Sequence, residues 1–219
     1  MEFSYRRGDD DGPERWGHIR RDWAACSFGF GRRQSPIRLS AAAAIAAGGR
    51  GGYDRRRLPR QPRPRHHGEM HWHSPSEHAV DGRRYDLELH MLHQSETRDG
   101  RYAVVAQLFD IGHRRDATLD MLEPYIKRVA KRRKGHEVEI DDDVDPRWPV
   151  KGSGVYYRYT GSFTTPPCTE GITWTVSTKV RRVSRQQMEL LCEKSSTMVT
   201  LEGKVTRTHR RRLVKFSCL

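Results

Sequence analysis

The chain has 219 residues, with 41 Lys and Arg against 28 Asp and Glu, for a formal net charge of +13. This length fits one domain with one hydrophobic core, although the apolar fraction is only 35%. No run of 18 or more apolar residues occurs, which excludes a membrane-spanning helix, and recurrent aromatic and β-branched residues through 70–180 exclude whole-chain disorder.

Arginine contributes 33 of the 41 cations and lysine 8, while asparagine is absent. That bias is what a GC-rich coding region produces, so part of the charge is compositional. Basic runs at 55–65, 127–134 and 209–212 raise nucleic acid as a partner. Charge runs are usually solvated faces, however, and no nucleic-acid partner is expected. Without Asn there is no N-glycosylation acceptor. Residues 1–7 lack the apolar centre of a signal peptide.

Residues 1–39 read as a loop-rich entry segment, with turn signals at Gly12-Pro13, Trp16-Gly17 and Gln34-Ser35-Pro36-Ile37. Residues 40–68 are low in complexity, rich in Ala, Gly, Arg and Pro, and read as a linker or surface insertion. Asp81-Gly82 is a two-residue hairpin signal between two alternating runs, and 102–109 is a third strand. Leu119, Met121, Leu122, Tyr125, Ile126 and Val129 form a helix face over 116–134, ending at Gly135. Residues 155–183 read as two strands around Thr165-Pro166-Pro167. A helix follows over 184–194 with Ser184 as its N-cap. The alternating basic tail 203–219 reads as an edge strand or a frayed end. No repeat of 20–50 residues occurs.

The densest chemistry lies in Met70-His71-Trp72-His73-Ser74-Pro75-Ser76-Glu77-His78 and, past the turn, Glu88-Leu89-His90-Met91-Leu92-His93. Residues two apart in a strand share a face, so His71 and His73 project together. A two-residue Asp81-Gly82 loop sets Val80 against Arg83 and, continued without a bulge, sets His73 against His90. Three imidazoles then converge from two neighbouring strands. Three histidines with an open fourth position suit a catalytic zinc rather than a structural one, and zinc lowers the pKa of bound water toward neutrality. Glu88 shares the face of His90 and is the candidate acceptor that fixes its tautomer. His18, His78, His93, His113, His136 and His209 are assigned no ligand role.

With Tyr159-Thr160-Gly161-Ser162-Phe163-Thr164-Thr165-Pro166-Pro167-Cys168-Thr169-Glu170-Gly171 added to these runs, the sequence resembles the α-class carbonic anhydrases, the plant-type members in particular. Gly12-Pro13, Trp16-Gly17, Cys26 and Gln34-Ser35-Pro36-Ile37 match in the same order, and the likeness covers 3–37 and 69–194. The resemblance implies a mainly β domain with a few short helices, a twisted, mostly antiparallel ten-stranded sheet around a conical pocket. It implies zinc on His71, His73 and His90. Thr164 matches the threonine whose hydroxyl accepts from zinc-bound hydroxide and donates to a glutamate, which matches Glu77. A hydroxyl that donates to a carboxylate can only accept from the hydroxide, which aims the hydroxide's lone pair at the substrate. Thr165 matches a bicarbonate contact. Leu92, Val105, Phe163 and Trp174 match the apolar wall for carbon dioxide. Tyr5 and Tyr159 match a tyrosine pair near Thr164. Cys26 and Cys168 match a disulfide of the extracellular members, an oxidising-compartment feature; Cys192 and Cys218 are expected to be free.

The resemblance thus implies reversible hydration of carbon dioxide to bicarbonate and a proton by a single domain, 1–219, acting as a monomer, with a dimer as the alternative. It also implies a secretory, extracellular or chloroplast location. Three departures qualify this. Only 36 residues separate Gln34 from His71, so a pocket wall with its proton-shuttling histidine is expected to be missing. His66 and His67, in an Arg/Pro-rich run, are not expected to replace that shuttle. Glu69 stands where Gln is usual beside His71. The tail 196–219 is atypical, and the closing C-terminal strands are expected to be missing. Activity is therefore expected to be reduced, and the alternative is a catalytically weak or inactive storage or binding protein on the same scaffold.

Overall fold

The computed structural model describes residues 3–27, 29–46, 69–95, 100–130, 155–192 and 213–218, with backbone only at 45–46, 69, 129–130, 192 and 213–218. The elements in chain order are α1 (Trp16–Ile19), a 3₁₀ turn (Arg21–Cys26), β1 (Arg38–Leu39), a 3₁₀ turn (Ala41–Ala43), β2 (Ile45–Ala46) and β3 (Glu69–Ser74). Next come β4 (Ala79–Val80), β5 (Arg83–Arg84), β6 (Leu87–Gln94), β7 (Tyr102–Gly112) and α2 (Ala117–Ala130). The chain continues through β8 (Val155–Ser162), β9 (Glu170–Ser177), β10 (Arg181–Ser184), α3 (Arg185–Cys192) and β11 (Leu213–Cys218). No helix among the described residues is long and apolar enough to cross a membrane.

The architecture is mainly β, as expected. One sheet runs in the order β11-β3-β6-β7-β9-β8-β2, and β10 also pairs with β7. β7 is long enough to carry two parallel neighbours in succession, β9 along 103–106 and β10 along 109–112. Its antiparallel partner β6 pairs along 102–109. The sheet is therefore mixed rather than mostly antiparallel. Among the described residues it has eight strands rather than ten, and a second small sheet, β1-β4-β5, stands apart.

β6 is buried on both faces. Leu87, Leu89 and Met91 pack with Met70 and Trp72 of β3 beneath the apolar faces of α2 and α3 (Leu119, Leu122, Ile126, Met188 and Leu191). The alternate residues, Glu88 and His90, face the other side, where Val104, Ala106, Leu108, Ile172 and Trp174 form a second apolar cluster.

Two expectations about the atypical segments are corrected. The linker reading of 40–68 fails at its start, because Ile45–Ala46 pairs with Tyr156 and Val155 of β8; residues 47–68, including His66 and His67, lie outside the described residues. The tail does contribute a closing strand: β11 pairs in parallel with β3 from Leu213↔Glu69 to Cys218↔Ser74 and forms one edge of the sheet. Its alternating pattern fits an edge strand. The side chains of Cys192 and Cys218 lie outside the described residues. The expected disulfide is present between Cys26 and Cys168, 142 residues apart, and ties the entry segment to the loop after β8.

The hairpin forms where expected. Both turn residues have positive φ, 47° at Asp81 and 81° at Gly82, the pattern of a type I′ turn. Val80 opposes Arg83 and Ala79 opposes Arg84. Farther from the turn the register changes: His71 opposes His90, and His73 opposes Glu88. The expected pairing of His73 with His90 is therefore off by two residues. The shift lies between Ser76 and Ala79. Ser76 still meets Tyr85, with its N–H donating to Tyr85 O and its Oγ accepting from Tyr85 N–H. Glu77 and His78 are the two extra residues and leave the ladder. An even shift preserves the face of every side chain, so the three histidines still converge.

The N-terminus of α3 is closed reciprocally. Gln187 N–H donates to Ser184 Oγ, and Ser184 N–H donates to Gln187 Oε1, both at 3.2 Å. Gln187 also joins α3 to the start of α2, accepting from Asp116 N–H at 2.8 Å and donating to Asp116 O at 3.0 Å. Urea unfolding of Ser184→Ala should show a loss of about 1 kcal/mol. Gln187→Leu, which strands buried backbone groups, should lose about 2–3 kcal/mol.

Candidate metal centre

β3 presents His71 and His73 on one face, and β6 presents His90 opposite His71. One ring nitrogen from each lies within 4.8 Å of the other two. His90 Nδ1 is 3.1 Å from His71 Nε2, and the three ring centroids are 4.7–5.0 Å apart. His73 and His90 are buried, and His71 is half-buried.

The tautomer of His90 is fixed from behind. Glu88 Oε1 lies 2.9 Å from His90 Nε2, so Nε2 carries the proton and the Nδ1 lone pair faces the other imidazoles. Burial, aided by His90 and His71, holds the His73 imidazole well below its ordinary value. Burial also brings His90 down to about 4, against the opposing pull of Glu88. Both rings are therefore neutral at neutral pH, as metal ligation requires. A tetrahedral zinc with bonds of about 2.0–2.1 Å separates its ligand nitrogens by about 3.3–3.4 Å. The facing nitrogens of His71 and His90 are close to that spacing, so the donor set fits zinc.

Glu77 reaches the same centre, its Oε1 3.6 Å from His73 Nδ1 and its Oε2 3.9 Å from His90 Nδ1. Burial and then the Glu88 charge push its carboxyl up to about 8, against a lowering hydrogen bond from Thr164. Thr164 and Glu77 are thus brought together. Thr165 follows in the same loop, its carbonyl accepting from Cys168 N–H. Trp174 is fully buried, with ring centroids 4.8 Å from His90 and 5.0 Å from His78. Leu92 and Phe163 edge the same apolar cluster.

Val105 is not on this wall. It pairs with Met91, not His90, and packs against the helix-side core. Its neighbour Val104, 2% exposed, lies opposite Leu92 on the histidine side. The alternation of strand side chains makes Val104 the wall residue. The two tyrosines meet different parts of the site. The Tyr5 ring is 6.2 Å from that of His73, within an aromatic group with Phe3 and Trp16. Tyr159 Oη is instead 2.7 Å from His78 Nε2. The side chain of Glu69 lies outside the described residues.

His78 is the functional-site residue that the sequence reading passed over. It is fully buried, and its Nδ1 donates to Glu88 Oε1 at 2.6 Å while its backbone N–H donates to Glu88 Oε2 at 2.9 Å. Burial alone raises the Glu88 carboxyl, but His78 and His90 beside it override this and hold it well below its ordinary value. No local sequence signal marks His78, because the two-residue bulge that turns it inward is seen only in the strand register.

Residues 65–214 match the model of the eukaryotic-type carbonic anhydrase family. Alpha carbonic anhydrase 7 of Arabidopsis thaliana is 38% identical over 214 residues, spanning 87% of this chain and 75% of that relative. Dioscorin dioA3 of Dioscorea japonica is 39% identical over 215 residues, spanning 87% and 76%. A dioscorin solved in complex with ascorbate superposes with a TM-score of 0.67 at 31% identity, covering 100% of this chain and 99% of that one.

Glu88→Gln removes the anionic acceptor behind His90. Zinc affinity measured by chelator competition should fall about 10–100-fold, with near-ultraviolet circular dichroism unchanged. Unchanged affinity in the folded variant would show that Glu88 does not orient the ligand.

Proposed function

Because this chain belongs to the eukaryotic-type carbonic anhydrase family, we propose that it catalyses the reversible hydration of carbon dioxide to bicarbonate and a proton, with zinc held by His71, His73 and His90. The convergence of three imidazoles, one fixed by a buried carboxylate, is the observation that carries this reading. A zinc ion there would supply a Lewis acid that makes water nucleophilic near neutral pH.

The protein's own groups then have distinct tasks. Glu77 ionises more readily beside a cation, and an ionised carboxylate can only accept hydrogen bonds. Thr164 therefore donates to Glu77 and keeps only lone pairs for the attacking oxygen, whose own lone pair is turned toward carbon. Leu92, Val104, Phe163 and Trp174 offer an apolar surface to an uncharged, linear substrate. Thr165 stands beside Thr164, where the product oxygens emerge. One oxygen–carbon bond forms, and one proton leaves to solvent or buffer.

A second reading, binding or storage on this scaffold with little or no turnover, is favoured by the dioscorin likeness, one such protein being solved with ascorbate. Stopped-flow hydration with a pH indicator separates the two. Turnover at saturating carbon dioxide should rise with added imidazole, because proton export limits it, whereas kcat/KM should not. Thr164→Ala should lower kcat/KM by about 10²-fold, the scale of losing one oriented hydrogen-bonding group. Stoichiometric zinc with no hydration in concentrated imidazole would overturn the catalytic reading and leave the binding one.

A further inference from the structure

Glu77 and His78 leave the strand ladder, so their path depends on how the residues on either side of them are held. A single residue of the opposite strand holds both sides. The backbone of Arg84 on β5 pairs with Ala79, where the ladder resumes. Its side chain reaches back across the bulge to where the ladder breaks off, and Nε donates to Ser76 O at 2.5 Å. We propose that Arg84 is a positioning residue for Glu77, bracketing the bulge through its Nε–H so that the carboxyl is carried to the histidines and to Thr164. This role rests on the catalytic function proposed above and extends it to a residue outside the metal centre.

The two arginines of this short strand have separate tasks, because successive strand side chains point opposite ways. Arg83 donates to both oxygens of Asp110 on β7 at 2.8 Å. Arg84 turns to the bulge. Ser76, with no exposed surface, is thereby used at every polar atom. Its N–H donates to Tyr85 O and its Oγ accepts from Tyr85 N–H, both at 2.8 Å. The same Oγ donates to His78 O at 2.7 Å, and the carbonyl accepts from Arg84. That carbonyl belongs to the peptide joining Ser76 to Glu77, so the Arg84 bond fixes the plane from which the Glu77 side chain departs. Without it a buried acceptor is left unsatisfied, and the peptide gains by turning. Arg84 also acts on the carboxyl itself: burial and then Glu88 raise it, whereas the Thr164 hydrogen bond and then Arg84 lower it. Arg84 is exposed, so replacing it leaves the core in place.

Replacements at Arg84 separate the donor from the charge. Glutamine carries an N–H at the same place along the side chain as Arg Nε, without the charge. Lysine keeps the charge with its nitrogen one atom farther out, and methionine has neither. The full-length parent, Arg84→Gln, Arg84→Lys and Arg84→Met would be compared by stopped-flow hydration with zinc, by zinc affinity in chelator competition, and by amide hydrogen exchange over residues 75–80. Arg84→Met should lower kcat/KM about 10-fold, part of the roughly 10²-fold that a misplacement of about 1 Å costs. It should also speed exchange over the bulge while zinc affinity stays at the parental value. Arg84→Lys should fall with it, and Arg84→Gln should recover most of both losses. In a Thr164→Ala background Arg84→Met should lower kcat/KM no further, because Glu77 has already lost the group it is aimed at. Parental kcat/KM in Arg84→Met, rescue by lysine rather than glutamine, or a full additional loss on Thr164→Ala would overturn the role. If Arg84→Met does not fold, the contrast between Arg84→Gln and Arg84→Lys decides. A parent that does not hydrate carbon dioxide counts against the catalytic function alone. Hydrogen exchange then decides for Arg84: equal rates in the parent and Arg84→Met overturn the bracket, and faster exchange that Arg84→Gln reverses supports it.

Discussion

A carboxylate with no exposed surface, Glu88 on β6, is the group around which the rest of this structure is arranged. An ionised side chain so deep costs several kcal/mol in lost hydration unless donors replace the water. Three do so here, from His78 twice and His90 once. The desolvation that makes Glu88 costly also makes its hydrogen bond to His90 directional and strong. β6 must then be covered on both faces, by the helices over Leu87, Leu89 and Met91 and by the β7–β9 cluster over Glu88 and His90.

The covering depends on a two-residue bulge. Without it the β4–β5 register would continue into β3 and β6, and Glu77 and His78 would sit in the ladder with their side chains on opposite faces. With it, Ser76 keeps its pairing to Tyr85 while the next two residues turn inward, His78 to Glu88 and Glu77 toward the three imidazoles. Bulges are enriched beside active sites because they re-aim side chains that a regular strand would misdirect. The disulfide ties Cys26 of the entry segment to the loop that carries Thr164, and Ser35 of the same segment is hydrogen-bonded to Ser162 at the end of β8.

How much of this could be read from the sequence follows from which features depend on parity and which on register. The convergence of His71, His73 and His90 needs only side-chain parity, which an even register shift leaves intact. Their cross-strand pairing needs the register itself, and nothing in Ser74-Pro75-Ser76-Glu77-His78 announces two extra residues. The resemblance implies Val105 for the wall where Val104 belongs, and β7, apolar on both faces with two adjacent valines, offers no alternation that would correct the match. In the sequence His78 is one histidine among several, since its partners lie 10 and 81 residues away. The tail misled for the opposite reason. An edge strand needs few apolar residues, so the basic composition around β11 hid its pairing with β3.

Holding a metal and turning over a substrate make separable demands on this chain. The first rests on β3 and β6, whose three histidines could hold a metal, with His73 and His90 locked by burial and His90 by Glu88. The second also needs the hydroxyl of Thr164 in the loop after β8, the carboxyl of Glu77 in the bulge, an apolar wall drawn from β6, β7, β9 and the loop after β8, and a path for the proton. Apart from Leu92 on β6, these parts lie on elements that can change while β3 and β6 stay as they are. Carbonic anhydrase and dioscorin relatives stand at nearly the same identity, 38% and 39%, so overall likeness does not separate catalysis from binding. The link between Thr164 and Glu77 does bear on it. With Glu77 ionised beside a bound cation, the Thr164 hydroxyl would donate to it and keep its lone pairs for an attacking oxygen, a constraint that the catalytic proposal uses and the binding one does not.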